Sequence, residues 1–293
     1  MSFGLKEKMD NPVLFRGARG AVFSPASVPD KEKISKGVAF LKTWGLEIDV
    51  NPFKKCRYLA GRDEERAFEL ASLLEKPYSF LWASRGGYGS LRLLPLLDEL
   101  VERVRPVWII GFSDVSILLN YFFTRFGLVT LHAPVVASLF ETSLCTLAVL
   151  KNVLLRGKNI FLTGEVWREG EAQGILIGGN LVSLVSLLGS RWAPDFSGKL
   201  LFLEEVNEDL YRLDRLITQL YHAGVFKKIS GLLLGEFKGV SYQEIKPLFL
   251  EVFNGPILAG LPVGHGIKNY PLFIGASSSL LASSGQSFLL QKF

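Results

Sequence analysis

Histidine and cysteine are scarce in this chain of 293 residues, which contains three histidines, His132, His222 and His265, and two cysteines, Cys56 and Cys145. The cysteines stand far apart with no metal-ligand spacing around them, which excludes a disulfide framework and a zinc site and leaves two plain thiols. Three dispersed histidines do not make a histidine-rich metal centre, and no metal is expected. A concentrated basic stripe is also missing. The formal net charge is +5, but lysines and arginines are interleaved with acids, so a nucleic-acid partner is not expected. Met1–Asp10 carries charges of both signs and lacks the apolar core of a secretory signal, which points to the cytoplasm. Two stretches without charge, Gly174–Ser190 and Asn269–Gln291, are punctuated by glycine, serine and asparagine, so no membrane span is expected. No internal repeat or low-complexity tract is evident.

What the chain has is apolar content, 48% of its residues, in a length that suits two ordinary domains. Through the first half, strand-like runs alternate with helical ones: Gly20–Phe23, Lys31–Trp44, Arg62–Leu74, Phe80–Ala83 and Ile109–Phe112. Such alternation implies an α/β domain whose parallel sheet carries helices on both faces. A polar, glycine-rich crossing between Lys151 and Gln173 marks a boundary, with an α/β domain over residues 1–160 and a β-richer domain over 174–293. The second unit reads as a strand at Leu200–Leu203, a helix at Leu210–Ala223, a strand at Gly231–Gly235 and serine-rich strands toward Phe293.

The most informative segment is Trp108-Ile-Ile-Gly-Phe-Ser-Asp-Val115. An apolar strand ends there and a helix follows at once, with Val115, Leu118, Leu119, Phe122, Phe123 and Phe126 at helical spacing, Asp114 near the N-cap and Gly127 as the stop. Ser113 thus falls at a strand-to-helix turn, where a nucleophile elbow raises its hydroxyl and the helix N-terminus favours developing negative charge. No second glycine follows, so a serine that caps its helix is the competing reading. The segment Ser84-Arg-Gly-Gly-Tyr-Gly89 also follows a strand, and both segments belong at the carboxyl end of the sheet, where ligands collect in such folds. Its glycine spacing does not match a dinucleotide-binding loop.

Three more segments place polar residues where an apolar strand ends: Gly178-Gly-Asn-Leu181, Leu203-Glu-Glu-Val-Asn-Glu208 followed by Tyr211-Arg-Leu-Asp-Arg215, and Gly264-His-Gly-Ile-Lys-Asn269. Together with Arg85-Gly-Gly-Tyr-Gly89, Arg92-Leu-Leu-Pro95 and Gly111-Phe-Ser-Asp114, their order and spacing resemble the LD-carboxypeptidase family of serine peptidases over nearly the whole chain. The resemblance implies a domain similar to class I glutamine amidotransferases joined to a swivelling β-rich domain, with the site in the cleft between them. It also implies a homodimer.

Carried over residue by residue, the family triad falls on Ser113, Glu204 and His265, which would act as nucleophile, orienting carboxylate and base. Adjacent strand residues point to opposite faces, so Glu205 is expected to face away from Glu204, and a solvated strand-end charge is the plain alternative for Glu204. Gly264 and Gly266 would let the backbone around His265 approach a ligand, as they would in a simple turn. The backbone N–H groups of Gly87 and Asp114 are the candidate oxyanion donors. Arg85 is a candidate reader of the substrate carboxylate or a loop brace, and Asn180 a substrate contact or a helix cap. His132 is read as lining near the cleft and His222 as a helix-end residue. The implied reaction releases the C-terminal D-alanine from a peptidoglycan tetrapeptide; a peptidyl-nucleotide antibiotic self-immunity peptidase and a noncatalytic muropeptide-binding protein are the alternatives. Phe112 in place of the common tyrosine, Ala133 in place of glycine and the unusual Gly17-Ala-Arg-Gly20 depart from the family pattern and leave specificity open.

Overall fold

A computed structural model describes residues 11–293; the reading of Met1–Asp10 lies outside the described residues. The first half folds as β1 (Arg19–Phe23), α1 (Lys31–Lys42), β2 (Glu47–Val50), α2 (Asp63–Glu75), β3 (Phe80–Ala83), α3 (Leu94–Leu100), β4 (Trp108–Gly111), α4 (Ser116–Phe126), β5 (Thr130–His132) and α5 (Leu144–Arg156). Every residue of β3 and β4 is buried, the pattern of parallel strands covered on both faces. These five strands pair in parallel in the order β5-β4-β3-β1-β2.

The remainder supplies β6 (Ile160–Leu162), β7 (Glu165–Arg168), β8 (Gly170–Asn180), α6 (Leu181–Val185), β9 (Leu200–Val206), α7 (Leu210–His222), β10 (Gly231–Lys238), α8 (Tyr242–Val252), β11 (Ile257–Ala259), β12 (Leu272–Ile274), β13 (Ser277–Ala282) and β14 (Ser287–Gln291). Eight of these strands form a second, mixed sheet in the order β6-β14-β13-β8-β9-β10-β11-β7. On α7, Leu213, Ile217 and Leu220 recur at helical spacing and are buried, and His222 lies at the helix end as expected.

Period-two alternation along β9 decides how the two sheets meet. Leu200 and Phe202 pack into the large core shared with the first sheet, whereas Leu201 and Leu203 join a second cluster with α7 and α8. Continuing that alternation puts Glu204 on the face toward the first sheet and Glu205 on the other.

Two features differ from the sequence reading. The stretch read as an interdomain crossing is the end of α5 followed by strand: β6, β7 and the first part of β8 all belong to the second sheet. β7 lies at the sheet edge, where Glu165 meets solvent and Arg168 is half-buried, and an edge strand of that kind has the composition of a linker. In the other direction, β12 leaves the second half of the chain and pairs antiparallel with β5, extending the first sheet to six strands. Residues 174–293 are therefore not confined to the second sheet. The chain preceding β12, which contains His265, is tethered beside β5 and β4.

Among the described residues no helix is long and apolar enough to cross a membrane, and no group of three or more histidine, cysteine or acidic side chains could hold a metal. Cys56 and Cys145 are free thiols.

Candidate active site

β4 ends at Gly111, and a single tight turn, Ser113–Val115, leads into α4, which stops at Gly127 in the left-handed region (φ 72°). Ser113 itself has φ 63°, a conformation that costs an L-residue about 1–2 kcal/mol. A strained turn of this kind is compatible with a nucleophile elbow. The serine is no helix cap. Nor is Asp114, contrary to expectation: α4 begins two residues later, and the Asp114 carboxylate turns back to accept from the Ser90 N–H at 2.9 Å. Asp114 is buried, which pushes its carboxyl up from the ordinary value against the lowering effect of its bonds from Ser90.

The glycine loop after β3 lies directly on Ser113. A Cβ at Gly86 would stand 2.9 Å from Ser113 Cβ and 3.1 Å from Oγ, so only glycine permits this approach. Gly87 has φ 107° and lines the same cavity as Ser113 and Asp114. The N–H groups of Gly87 and Asp114 donate to no acceptor among the described residues, so both are free for a ligand. The cavity has a volume of about 240 Å³ and also receives Tyr88, Asn180, Glu205 and Glu208.

Glu204 and His265 meet across the two sheets. Glu204 is fully buried, and its Oε2 lies 2.6 Å from His265 Nδ1. Gly264, at φ 145°, lets the loop turn against β9 and β10: a Cβ there would be 3.3 Å from Glu204 Oε2 and 3.0 Å from Glu236 Cβ. Its N–H is held by Asn269 Oδ1 at 3.1 Å. Burial pulls the His265 imidazole down, but the hydrogen bond and charge of Glu204, with Glu205 and Glu236 farther off, outweigh it and hold the ring above its ordinary value. The ring's hydrogen bond is to Glu204, and none joins Ser113 Oγ to His265. The rings of Phe112 and His265 are 4.8 Å apart between centroids, which puts the imidazole beside the residue preceding Ser113.

Glu205 takes the opposite face and is saturated by donors: Asn180 Nδ2 and the Val182 N–H at 2.8 Å, and the Val206 N–H at 2.9 Å. Asn180 caps α6 through Oδ1, which accepts from the Ser183 N–H and hydroxyl, and it also lines the cavity. One Nδ2 hydrogen goes to Glu205 and the second remains available. Arg85 is exposed, outside the cavity lining, and donates to the Val28 carbonyl at 3.2 Å, which is the bracing arrangement. His132 is entirely buried against Phe112 and Phe202; burial first, then the charge of His265, pull it down to about 3, so it stays neutral.

Sequence reasoning missed Glu236, whose carboxylate lies against the Gly266 backbone, and Asn120, which docks the second sheet onto α4. Asn120 Nδ2 donates to the Gly178 carbonyl at 2.8 Å and its Oδ1 accepts from the Gly178 N–H at 3.0 Å. Neither residue carries a local signal, because each acts on backbone distant in sequence.

The LD-carboxypeptidase N-terminal domain family matches residues 21–133, and the LD-carboxypeptidase C-terminal domain family matches residues 173–280. A Synechocystis protein that bears a carboxypeptidase name is 33% identical, over 93% of this chain and 95% of its own. The murein tetrapeptide carboxypeptidase of Pseudomonas aeruginosa is 32% identical, over 86% of this chain and 89% of its own. The microcin C7 self-immunity protein of Escherichia coli is 28% identical, with 83% of each chain covered. Among solved structures, the muramoyltetrapeptide carboxypeptidase from Oxalobacter formigenes superposes with a TM-score of 0.85 at 25% identity, covering 94% of this chain and 99% of that one. Two matching domain families in chain order, and relatives a third identical along almost the full length, mean that this chain belongs to the LD-carboxypeptidase family.

Proposed function

We propose that this protein is a serine carboxypeptidase that hydrolyses the amide joining an L-centre to a C-terminal D-alanine in peptidoglycan tetrapeptides. The observation that carries this reading is the buried Glu204–His265 pair, whose imidazole packs on Phe112 next to Ser113, itself at φ 63° and lining a cavity. Serine is a weak nucleophile at neutral pH and needs a base. His265 takes the Ser113 proton as Oγ attacks the carbonyl, and Glu204 on the other ring nitrogen fixes the tautomer and stabilises the imidazolium. The free N–H groups of Gly87 and Asp114 receive the oxyanion. His265 then returns its proton to the leaving amine of D-alanine, and water, activated by the same imidazole, hydrolyses the acyl-enzyme.

Asn180, with an uncommitted N–H in the cavity, is the better-placed reader of the terminal carboxylate, because Arg85 lies outside the cavity lining and braces the Val28 carbonyl. The family resemblance supports a homodimer working in the cytoplasm without a metal or cofactor. The self-immunity relative supports a second reading, in which the same hydrolysis removes an aminoacyl group from a peptidyl-nucleotide antibiotic.

Mass spectrometry of a purified tetrapeptide incubated with wild type and with Ser113→Ala tests the proposal. Loss of D-alanine with wild type alone supports it. No loss with either refutes the tetrapeptide substrate; turnover of an aminoacyl-nucleotide then supports the second reading, and binding without turnover a muropeptide-binding protein.

A further inference from the structure

Arg66 is one of the most deeply buried charges in the protein, at 2% exposure, yet it lies on α2, away from the proposed triad. Its guanidinium ties together the two loops that leave β1 and β3. Nη1 donates to the Pro25 carbonyl and, at 3.1 Å, to the Gly89 carbonyl, while Nη2 pairs with Asp63. Asp63 is anchored in turn by Arg92 at 2.5 Å, so the buried charge has a fixed counterion. At the far side of the same peptide unit, the Ser90 N–H donates to Asp114 Oδ2 at 2.9 Å.

The Gly89–Ser90 peptide is thus gripped at both ends, its carbonyl against a cation and its N–H against a carboxyl group. A planar peptide held at O and at N has its orientation determined, and its dipole lies along the field between the two groups. Gly89 has φ 134°, and a Cβ there would be 2.9 Å from Arg66 Nη1, so the close approach of this guanidinium requires glycine. One end of the clamp, Asp114, also owns one of the free N–H groups at Ser113, and the clamped loop owns the other, at Gly87.

We propose that Arg66 is a positioning residue for the oxyanion hole: with Asp114 it locks the Gly89–Ser90 peptide, which fixes the Gly87 N–H relative to the Asp114 N–H. This inference rests on the reading of those two groups as oxyanion donors. Misplacing a donor by about 1 Å costs on the order of 10²-fold in rate, and the loss falls on kcat because the oxyanion forms only in the transition state.

The experiment combines hydrogen exchange of the segment 84–92 with steady-state kinetics on a tetrapeptide, for Arg66→Lys, Arg66→Met and wild type. Exchange in the segment is expected to accelerate at least about tenfold in Arg66→Met, with β4 unchanged. We expect kcat to fall about 10²-fold at a KM within about threefold, and Arg66→Lys, which retains the charge, to lie between the two. Should Arg66→Met not fold, Asp114→Ala removes the acceptor at the other end of the same peptide while keeping the Asp114-position backbone N–H, and is expected to loosen the same segment. Unchanged exchange in the segment overturns the proposal. So does a loosened segment with unaltered kcat, or exchange that rises equally through the whole protein. If wild type shows no peptide turnover, the carboxypeptidase reading fails, while the exchange comparison still decides the clamp.

Discussion

Replacing Glu204 with glutamine separates what this carboxylate does for catalysis from what it does for the fold. The side chain keeps its shape but loses its charge, and an amide N–H can face His265 Nδ1 and force the wrong tautomer. Removal of a hydrogen bond between charged groups costs about 1.5–3 kcal/mol. Against that, wild-type Glu204 is fully buried and its Oε1 has no partner among the described residues, so neutralising it relieves a desolvation penalty of several kcal/mol. The two terms oppose, and the net stability change is expected to stay within about 2 kcal/mol. Catalysis has no such offset. Loss of the correct tautomer and of imidazolium stabilisation is expected to lower kcat by about 10³–10⁴-fold. The pH dependence carries its own sign. His265 sits above its ordinary value and must be neutral to act as base, so wild-type kcat/KM rises with pH through a value above the ordinary imidazole range. Without Glu204, burial dominates, and the residual acid limb moves to lower pH. Because the folded value is raised, protonated His265 stabilises the wild-type fold fully below the unfolded histidine value near 6.5, and that contribution disappears as pH rises through the folded value. The assays are pH–rate profiles and thermal unfolding of both proteins. A variant within tenfold of wild-type kcat/KM, or one destabilised by more than about 4 kcal/mol, would falsify this assignment of Glu204.

Ser113→Gly relieves the positive φ and is expected to raise stability by about 1 kcal/mol while abolishing turnover, checked by thermal unfolding beside the tetrapeptide assay. For Gly86→Ala, a Cβ 2.9 Å from Ser113 Cβ must displace the nucleophile, so a serine-reactive probe should label the variant at least about 10²-fold more slowly; equal labelling rates would show that the loop yields freely. Asn180→Ala removes the α6 cap at a cost of about 1 kcal/mol and a cavity donor, and a KM rise of about tenfold or more is expected; an unchanged KM leaves Asn180 a cap alone. Arg85→Ala, which touches only an exposed carbonyl contact, is expected to leave KM within about threefold and stability within about 0.5 kcal/mol; a large KM rise would restore it as a carboxylate reader.

The strand-to-helix turn at Ser113 was legible because strand, glycine and helical spacing are all local; the positive φ of Ser113 was not read from the pattern and is added by the structure. The edge strand β7 was not, since charged, glycine-flanked residues look alike in a linker and in a sheet margin exposed to water. The strand β12 was invisible as a member of the first sheet for a different reason: antiparallel pairing with β5 spans about 140 residues, and nothing in Leu272–Ile274 says which edge it will meet. Asp114 illustrates the same limit, because an aspartate two residues before a helix has the composition of a cap, while its actual partner, the Ser90 N–H, lies on another loop.

By itself the sequence determined the alternating α/β order, the strand-to-helix turn at Ser113, the glycines that allow close backbone approach, and the opposition of Glu204 to Glu205. All of these follow from periodicity and from conformational preferences that act over a few residues. Only the tertiary structure decided which of the two carboxylates meets His265. Packing of Leu200 and Phe202 against the first sheet chooses the face, and β12 ties the His265 loop to that sheet, so the pair forms where the two halves of the chain are buried against each other.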